Sequence, residues 1–321
     1  MSPVRISVAM ATCEGERFVL EQLESIASQS VLPDEVVVCD DASQDETFAC
    51  LEAFASRAPF EILTLHNPER IGTTANFERA ISACTGDTIF LADQDDVWQP
   101  EKIETLSAVL ARRPDTAAVF SDAEPIDENA SPLGGSLWRS LGFTLREQER
   151  VRSGRAVEVF LRHVVAAGTT LAFRSSLRDV ALPFPALRSC HDAFIAFMAA
   201  ATSRVEIVPE SLVRYRLHGA NQIGIRKLDF FAQLGKAREQ IETGAFPYAV
   251  DFFQAARERL LATSPQTLEQ IDQKILHARR RADMSSHLGA RLSAIHAEVR
   301  SRRYWRYSYG WKSVAQDLLL R

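Results

Sequence analysis

The chain has 321 residues, of which 46% are hydrophobic and 25% are charged, and its formal net charge is −5. This length suffices for one large hydrophobic core or for two domains, and the composition is that of a globular protein. No apolar run reaches the roughly 18 residues that a membrane-spanning helix needs, which argues against an integral membrane protein.

The first third of the chain alternates strand and helix patterns. The predicted strands are 5–12, 35–39, 60–66 and 88–92, and the predicted helices are 16–30, 45–58, 74–84 and 101–112. Alternation at this spacing predicts parallel strands joined by right-handed crossovers and covered by helices. In such sheets ligands bind outside the carboxyl ends of the strands.

Polar and acidic residues follow these strands. They are Thr12-Cys13-Glu14-Gly15, then Asp40-Asp41, then Asn67, and last Asp93-Gln94-Asp95-Asp96. Carboxylates this close repel one another by about 1 kcal/mol per pair even when solvated, and a cation relieves the repulsion. Oxygen ligands suit a hard cation, so the sequence predicts a Mg²⁺ or Mn²⁺ site, with a solvated acidic turn as the alternative.

Other nucleotide and metal motifs are absent from the sequence. No GxGxxG follows the first strand and no GxxxxGK[ST] occurs, which argues against a dinucleotide site and a P-loop. An EF-hand would need glycine where Trp98 stands. Five scattered cysteines without CxxC spacing indicate reduced thiols, and no signal peptide precedes the first strand pattern. A cytoplasmic location is therefore expected.

The second half continues with a strand at 117–121, a polar insertion at 123–150 that we expect to be a flexible acceptor loop, and a strand at 167–174. An apolar helix then begins near Asp192. Residues 227–321 show no catalytic motif and predict helices at 227–243, 248–263 and 265–286. The predicted division is a catalytic domain over 1–225 and a helical C-terminal region over 226–321.

Positive charge and aromatic residues are concentrated at the C-terminal end. Residues 274–321 contain eleven Lys and Arg against three Asp and Glu, a net +8, so residues 1–273 carry −5 − 8 = −13. Basic and aromatic residues together suit the interface of an anionic membrane, and a helix packed within the protein is the alternative. We expect peripheral contact with the inner face of the cell membrane and no nucleic-acid partner.

The order of these motifs resembles family 2 glycosyltransferases, which have the GT-A fold, over about 4–225 and most strongly over 4–105. The matching segments are Ile6–Thr12 with Glu14-Gly15, Val38–Asp45, Asn67–Phe77 and Asp93–Trp98. The form DQDDVW is similar to the rhamnosyltransferase-like branch. Cys13 departs from the family, which usually has an aromatic residue there. The resemblance implies an α/β fold with a mixed, mainly parallel sheet and flanking helices.

The resemblance also implies residue roles. Asp95 is the expected direct metal ligand, with Asp96 supporting it. Asp93 would face the ribose or the water shell of the metal, and His218 would complete the metal shell or contact the diphosphate. Asp192 is the expected general base. Asp41, or else Asp40, would accept the imide N–H of a uracil or thymine. The expected nucleotide-sugar contacts are Thr12, Glu14, Asp40, Asp41, Arg70, Asn76, Asp93, Gln94 and Arg216.

The function implied is inverting, metal-dependent transfer of a sugar. The donor would be dTDP-rhamnose or a UDP-sugar, and the acceptor a bacterial surface glycan or a lipid-linked glycan. Two alternatives stay open at this point. A sugar-1-phosphate nucleotidyltransferase would want a glycine-rich, arginine-bearing loop after the first strand, and a catalytically inactive glycan-binding protein would not need all of Asp93, Asp95 and Asp192.

Overall fold

A computed structural model describes residues 4–188, 190–218, 244–260 and 264–319. These residues form two compact units. The first unit contains 4–154 and the described part of 165–225, and the second contains 155–164 and the described part of 226–321. The predicted domain division at residue 225 stays a prediction, and the predicted helix 227–243 lies outside the described residues.

Eight strands of the first unit form one sheet. They are β1 (Ile6–Thr12), β2 (Glu35–Asp40), β3 (Glu61–His66), β4 (Thr88–Asp93), β5 (Val97–Trp98), β6 (Thr116–Ile126), β7 (Leu171–Arg174) and β8 (Arg204–Arg216). Their order across the sheet is β3-β2-β1-β4-β7-β6-β8-β5. The first four strands are parallel, β7 runs antiparallel to both of its neighbours, β6 and β8 are parallel, and β5 is antiparallel to β8.

Burial along the strands follows their positions in the sheet. Strands β1, β2 and β4 are central and almost wholly buried, which accounts for their continuous apolar sequences. Strand β3 lies at the edge and leaves alternate residues exposed. The mixed, mainly parallel sheet that was predicted is confirmed.

Helices pack around this sheet in the first unit. They are α1 (Val19–Ala27), α2 (Thr47–Ala55), α3 (Thr73–Ala83), α4 (Lys102–Arg112), α5 (Leu137–Leu141), α6 (Leu145–Arg152), α8 (Arg178–Ala181) and α9 (His191–Thr202). The short helix α7 (Ala156–Phe160) belongs to the second unit. Apolar residues of α1, α2 and α4 join those of the central strands in one core, as amphipathic helices covering a sheet must.

The structure corrects three expectations in the second half of the sheet. Strand β6 runs on to Ile126, and most of the predicted flexible loop 123–150 is instead strand and helix. Trp138 is 3% exposed and packs edge-to-face against Phe120, with ring centroids 5.7 Å apart. The predicted strand 167–174 begins only at Leu171, because Gly168–Thr170 form a 3-10 turn.

The second unit contains five further helices among its described residues. They are α10 (Ala245–Arg259), α11 (Pro265–Ala282), α12 (Leu288–Arg300), α13 (Arg303–Tyr307) and α14 (Trp311–Leu319). The C-terminal helical region is thus confirmed. No helix in the described ranges is long and apolar enough to cross a membrane.

Buried ion pairs hold the second unit together. The fully buried Glu298 lies 2.6 Å from His277 and accepts hydrogen bonds from Arg280 and Arg303. Burial by itself would raise the pKa of Glu298, but these donors outweigh it and lower the pKa to about 2. Breaking a buried pair on one side costs several kcal/mol, so this cluster is a structural centre of the unit.

The C-terminal residues are part of that packing. Tyr304 is fully buried and donates to Asp317 at 2.7 Å, and Asp317 in turn pairs with Arg281. Removing residues 300–321 would therefore take out core side chains and leave Arg281 without its carboxylate. The truncation cannot serve as a clean test of membrane binding, and single surface substitutions are needed instead.

Candidate active site

The strand register brings the predicted site residues to one edge of the sheet. Thr12 on β1 is paired with Asp40 on β2, and Ala11 is paired with Asp93 on β4. Because the three strands are parallel, the loops that follow them leave the sheet on the same side. The sequence therefore predicted the location of this edge correctly.

Asp40 joins the ends of three strands. Its Oδ1 accepts hydrogen bonds from Thr12 Oγ1 at 2.9 Å and from Ser43 Oγ at 2.6 Å. Its Oδ2 accepts from Ser43 N at 3.0 Å and lies 3.1 Å from Nδ1 of His66. Asp40 is fully buried, so its carboxylate orders the loop after β2. Donor contacts from Thr12 and Asp40 stay a prediction.

Asp41 holds the loop between β3 and α3. Its Oδ1 accepts hydrogen bonds from Ile71 N at 2.8 Å and from Asn67 Nδ2 at 2.9 Å, and its Oδ2 accepts from Gly72 N at 2.9 Å. Asn76 also accepts from Asn67 and donates to the carbonyl oxygen of Cys39. An ionised carboxylate has about four lone-pair sites. Counting the contacts of the described residues, one site on Oδ2 therefore remains for a further donor.

Gln94 connects the loop after β4 to the loop after β1. Its Oε1 accepts from Cys13 N at 2.8 Å, and its Nε2 donates to Cys13 O at 3.0 Å. A Cβ atom on Gly15 would lie 2.3 Å from Oε1 of Gln94, so a larger residue at position 15 would displace this amide. The contacts give Gln94 a positioning role, and its direct contact with a donor stays a prediction.

Arg70 and Glu14 form an ion pair beside these loops. Their side chains are 56% and 39% exposed, respectively. Exposed ion pairs contribute only about 0–1 kcal/mol. The pair therefore stabilises the fold little, and donor contacts from Arg70 and Glu14 stay predictions.

The loop after β4 concentrates negative charge. Asp95 Oδ2 lies 2.7 Å from Nε2 of His218. Asp96 is 1% exposed, and its Oδ1 accepts from the backbone N of Arg216 at 2.8 Å. Its Oδ2 is buried and has no hydrogen-bond partner among the residues that the structure describes. Thus the carboxylate of Asp95 lies beside His218, and only one of the two carboxylate oxygens of Asp96 has a hydrogen-bond partner among the described residues.

Electrostatic repulsion within this loop shifts two pKa values. Burial, followed by the charges of Asp96, Asp95 and Asp192, raises the pKa of Asp93 well above its ordinary value. Burial and Asp95 raise the pKa of Asp96 to about 7, although the Arg216 amide and the Thr169 hydroxyl act in the opposite direction. The cluster holds more negative charge than its surroundings neutralise.

These residues fit a hard divalent cation. The donor atoms are carboxylate oxygens, and the buried Oδ2 of Asp96 marks the uncompensated side of the cluster. Among the described residues no three His, Cys, Asp or Glu side chains are grouped to hold an ion by themselves. This suits Mg²⁺ or Mn²⁺, which take one or two carboxylates and complete their shells with water and substrate phosphates. Asp95, with Asp93 and His218, stays the predicted ligand set.

Arg216 is placed differently from a free phosphate ligand. Its side chain is 1% exposed, and its guanidinium donates to Asp95 O at 2.6 Å, Glu21 Oε2 at 2.6 Å and Glu128 O at 3.1 Å. The guanidinium also lies 4.6 Å from the centre of the Phe18 ring. These contacts make Arg216 a brace for the loop after β4, and phosphate binding by it stays a prediction.

Asp192 lies in the first turn of α9. Its Oδ1 accepts from Ala193 N at 2.7 Å, and its Oδ2 accepts from Gly168 N at 3.2 Å. Gly168 opens the turn Gly168–Thr170 before β7, and β7 pairs antiparallel with β4 with Ala172 opposite Phe90, so this turn lies at the end of β4 where Asp93 stands. The predicted base is therefore near the predicted metal loop, although Asp93 and Asp192 are about 100 positions apart in the sequence.

One buried residue near the candidate site, Lys102, was not predicted from the sequence. It is fully buried at the start of α4, and its Nζ lies 2.6 Å from the carbonyl oxygen of Thr169. The sequence did indicate this burial, because Lys102 shares a helix face with Ile103, Leu106 and Leu110. A lysine on the apolar face of a helix calls for a partner in the interior.

A curled, mainly parallel sheet with an acidic loop at the carboxyl end of its fourth strand defines the class of GT-A glycosyltransferases. The sequence pattern described as "Glycosyl transferase family 2" matches residues 7–176, which is more than half of the chain. The chain belongs to glycosyl transferase family 2.

Two relatives illustrate the sequence similarity. An uncharacterized glycosyltransferase of Nostoc sp. is 25% identical over 226 residues, which cover 68% of this chain and 66% of that protein. The dTDP-rhamnosyl transferase RfbG of Shigella flexneri is 35% identical over 99 residues, or 30% of this chain and 34% of that protein. The matches thus span less than two thirds of the length of these relatives.

Two solved structures share the fold. TarS 1–349 of S. aureus in complex with UDP has a TM-score of 0.57 at 16% identity, covering 88% of this chain and 72% of that chain. The mannosyltransferase PcManGT of Pyrobaculum calidifontis, in complex with GDP-Man and Mn²⁺, has a TM-score of 0.52 at 19% identity, covering 100% and 86%. At these identities the similarity concerns the fold alone.

Proposed function

We propose that the protein transfers a sugar from a nucleoside diphosphate to a hydroxyl group of a surface glycan or lipid-linked glycan, with inversion at the anomeric carbon. The observation that supports this proposal is the placement of Asp192 beside the acidic loop Asp93–Asp96. The loop begins at the end of β4, and Asp192, in the first turn of α9, accepts a hydrogen bond from Gly168 N in the turn that leads into β7, the strand paired with β4.

The chemistry follows from this arrangement. The acceptor oxygen forms a bond to the anomeric carbon while the bond from that carbon to the diphosphate oxygen breaks. Asp192 takes the proton of the acceptor hydroxyl, and the nucleoside diphosphate leaves with the electron pair. A divalent cation bound at Asp95 would neutralise charge on the departing diphosphate. The bracing of the acidic loop by Arg216 keeps these groups in place.

The donor we propose carries uracil or thymine. The remaining acceptor site on Oδ2 of Asp41 would receive the imide N–H of the base, which is a charge-assisted hydrogen bond. The Shigella relative named as a dTDP-rhamnosyl transferase favours dTDP-rhamnose, and the TarS complex with UDP favours a uracil nucleotide on this fold. The GDP-Man complex of PcManGT makes guanine the competing choice.

A panel of donors tests the proposal. We expect dTDP-rhamnose or a UDP-sugar, together with Mn²⁺ or Mg²⁺, to raise the unfolding temperature, because ligands that bind only the folded state stabilise it. At a hundredfold excess over Kd the gain is about 2.7 kcal/mol. The same donor should release nucleoside diphosphate when acceptor glycan is added. Stabilisation by GDP-mannose alone would contradict the choice of base, and the absence of nucleotide release with every donor would contradict the transfer.

Membrane contact belongs to the same proposal, and the second unit offers a surface for it. Residues 300–319 expose three aromatic side chains, with Trp311 67%, Tyr309 55% and Trp305 36% exposed. Four cations of the same stretch are exposed, namely Arg300, Arg302, Arg306 and Lys312. The acid of the stretch, Asp317, is fully buried and paired. This surface, which we term the basic-aromatic surface, is complementary to anionic lipid headgroups.

Vesicle binding measures the contribution of this surface. The double substitution Arg306→Gln, Lys312→Gln should weaken binding to vesicles containing anionic phospholipid by about 30-fold, since each cation contributes about 1 kcal/mol. Trp311→Ser should also weaken it. Leu145→Ser, which changes an 80% exposed residue of the first unit, is the matched control. If the parent binds RNA but not anionic vesicles at low salt, the membrane assignment is wrong.

A further inference from the structure

A buried lysine lies at the centre of the first unit. The Nζ atom of Lys102 donates to the carbonyl oxygen of Thr169 at 2.6 Å and stands 3.1 Å from the centre of the Trp98 ring. The side chain has no exposed surface. Burying an ammonium group is costly unless other groups replace its water. A carbonyl oxygen and the face of an indole ring are groups that an ammonium favours.

The two partners of Lys102 belong to the two halves of the candidate site. Trp98 lies two residues after Asp96, on strand β5, which pairs with β8. Thr169 lies in the 3-10 turn Gly168–Thr170, whose first amide donates to Asp192 Oδ2 at 3.2 Å. One side chain thus connects the segment that carries the predicted metal ligands to the turn that holds the predicted base.

The turn has little freedom to move independently of Asp192. A Cβ atom added to Gly168 would lie 3.3 Å from His191 Nε2 and 3.4 Å from Asp192 Cβ. The backbone of the turn is therefore in close contact with the start of α9. A displacement of Thr169 would be passed to Asp192 through Gly168, because the three groups are joined by packing and by hydrogen bonds.

Lys102 also lies among the charges of the acidic loop. Burial lowers the pKa of Lys102, and the carboxylates of Asp96 and Asp93 act in the opposite direction. The same two carboxylates are those with raised pKa values. The Nζ atom also lies 3.1 Å from the centre of the Trp98 ring, two residues after Asp96, which places its positive charge beside the acidic loop.

We propose that Lys102 is a positioning residue that couples the two halves of the site. It fixes the distance between the acidic loop and Asp192, and it offsets part of the charge of the loop before a metal ion binds. This inference rests on the proposed function, since it concerns the arrangement of the groups that would carry out transfer.

Two substitutions separate the hydrogen bond of Lys102 from its charge. Lys102→Met removes both the donor and the positive charge, and Lys102→Gln keeps an amide donor without the charge. A matched control exists in the second unit, where Lys274 is also buried and donates to Tyr307 O at 2.8 Å. Lys274→Met makes the same chemical change far along the chain and outside the site.

The proposal predicts a pattern that loss of packing alone would not give. In Lys102→Met the kcat for transfer should fall by about 100-fold with donor KM little changed, because small misplacements of reacting groups cost about that much. We define the Mn²⁺ midpoint as the Mn²⁺ concentration that gives half of the maximal rise in unfolding temperature. This midpoint should fall by about tenfold, since removing a nearby positive charge favours metal binding by more than about 1 kcal/mol. Lys102→Gln should recover part of kcat but keep the lower Mn²⁺ midpoint.

The control variant and the parent protein distinguish failure of the Lys102 inference from failure of the proposed function. Lys274→Met should lower the unfolding temperature while leaving kcat and the Mn²⁺ midpoint at parent values. If Lys102→Met behaves in the same way, Lys102 is a structural residue and the inference is wrong, even though the parent transfers sugar normally. If the parent neither binds a nucleotide sugar nor transfers one, the proposed function itself has failed.

Discussion

Replacing Asp192 by asparagine should slow sugar transfer by about 10²–10⁴-fold, the range that a general base contributes. Donor KM should stay near the parent value, because the hydrogen bonds of this carboxylate go to Ala193 N and Gly168 N and not to the loops that carry Asp41 and Arg70. Asparagine has one acceptor oxygen in place of two, so the hydrogen bond from either Gly168 N or Ala193 N would be weakened. The expected cost is about 0.5–1.5 kcal/mol. Initial rates at varied donor, with a melting curve, measure both effects.

The alternative for Asp192 is a purely structural role at the start of α9, where an acid is favoured by the helix dipole. Gly168→Ala is a useful comparison, because the added Cβ would lie 3.3 Å from His191 Nε2 and press on the start of α9 without altering the carboxylate of Asp192. We expect this variant to lose less turnover than Asp192→Asn at a similar loss of stability. If the two variants lose turnover only in proportion to stability, or if donor binding is lost together with turnover, Asp192 is not the base.

The sequence was sufficient to predict the first half of the sheet and the edge that carries the site. Strands β1, β2 and β4 are buried on both faces, so their apolar runs are unbroken and easy to recognise. Parallel strands must end on the same side of the sheet, which places Asp40 and Asp93 together without any knowledge of side-chain contacts.

Other features depend on packing that no local pattern reveals. Strand β5 is two residues long and is defined by its pairing with β8. Helix α6 is strongly polar and begins with a capping box between Thr144 and Glu147, which the reading of an acceptor loop overlooked. The amides of Ile71 and Gly72 come to Asp41 through backbone geometry, so a residue assigned to the nucleobase also holds a loop.

For the C-terminal aromatic residues, the sequence could have predicted which side chains are buried and which are exposed. Tyr304 and Tyr307 are buried at 0% and 4% exposure, whereas Trp305 and Trp311 are exposed. Residues three apart share a helix face, so a helical reading of the stretch would have separated the two groups. The packing interpretation therefore holds for Tyr304 and Tyr307, and membrane contact through Trp305 and Trp311 stays a prediction.

The second large effect concerns the metal. Asp95→Asn should abolish stabilisation by Mn²⁺ and lower transfer by about 10²–10³-fold, the usual cost of losing one electrostatic contact to the developing charge. The fold should persist, because an amide oxygen can replace the carboxylate beside Nε2 of His218. In metal-free buffer the variant should melt about 2–4 °C higher, since each relieved repulsion contributes roughly 1 kcal/mol.

Metal-free melting distinguishes this account from a general loss of structure. In the metal-free protein the carboxylate of Asp95 is repelled by Asp93 and Asp96, so a neutral residue at this position makes that form more stable. The same substitution removes a ligand from the metal-bound form and so lowers its activity. Asp115→Asn, at an exposed position between α4 and β6, is the matched control and should change neither the Mn²⁺ response nor turnover. Melting curves with chelator and with Mn²⁺, beside transfer rates under both conditions, supply the comparison. If Asp95→Asn transfers sugar normally with chelator present, or if Mn²⁺ still stabilises it as it does the parent, Asp95 is not a metal ligand.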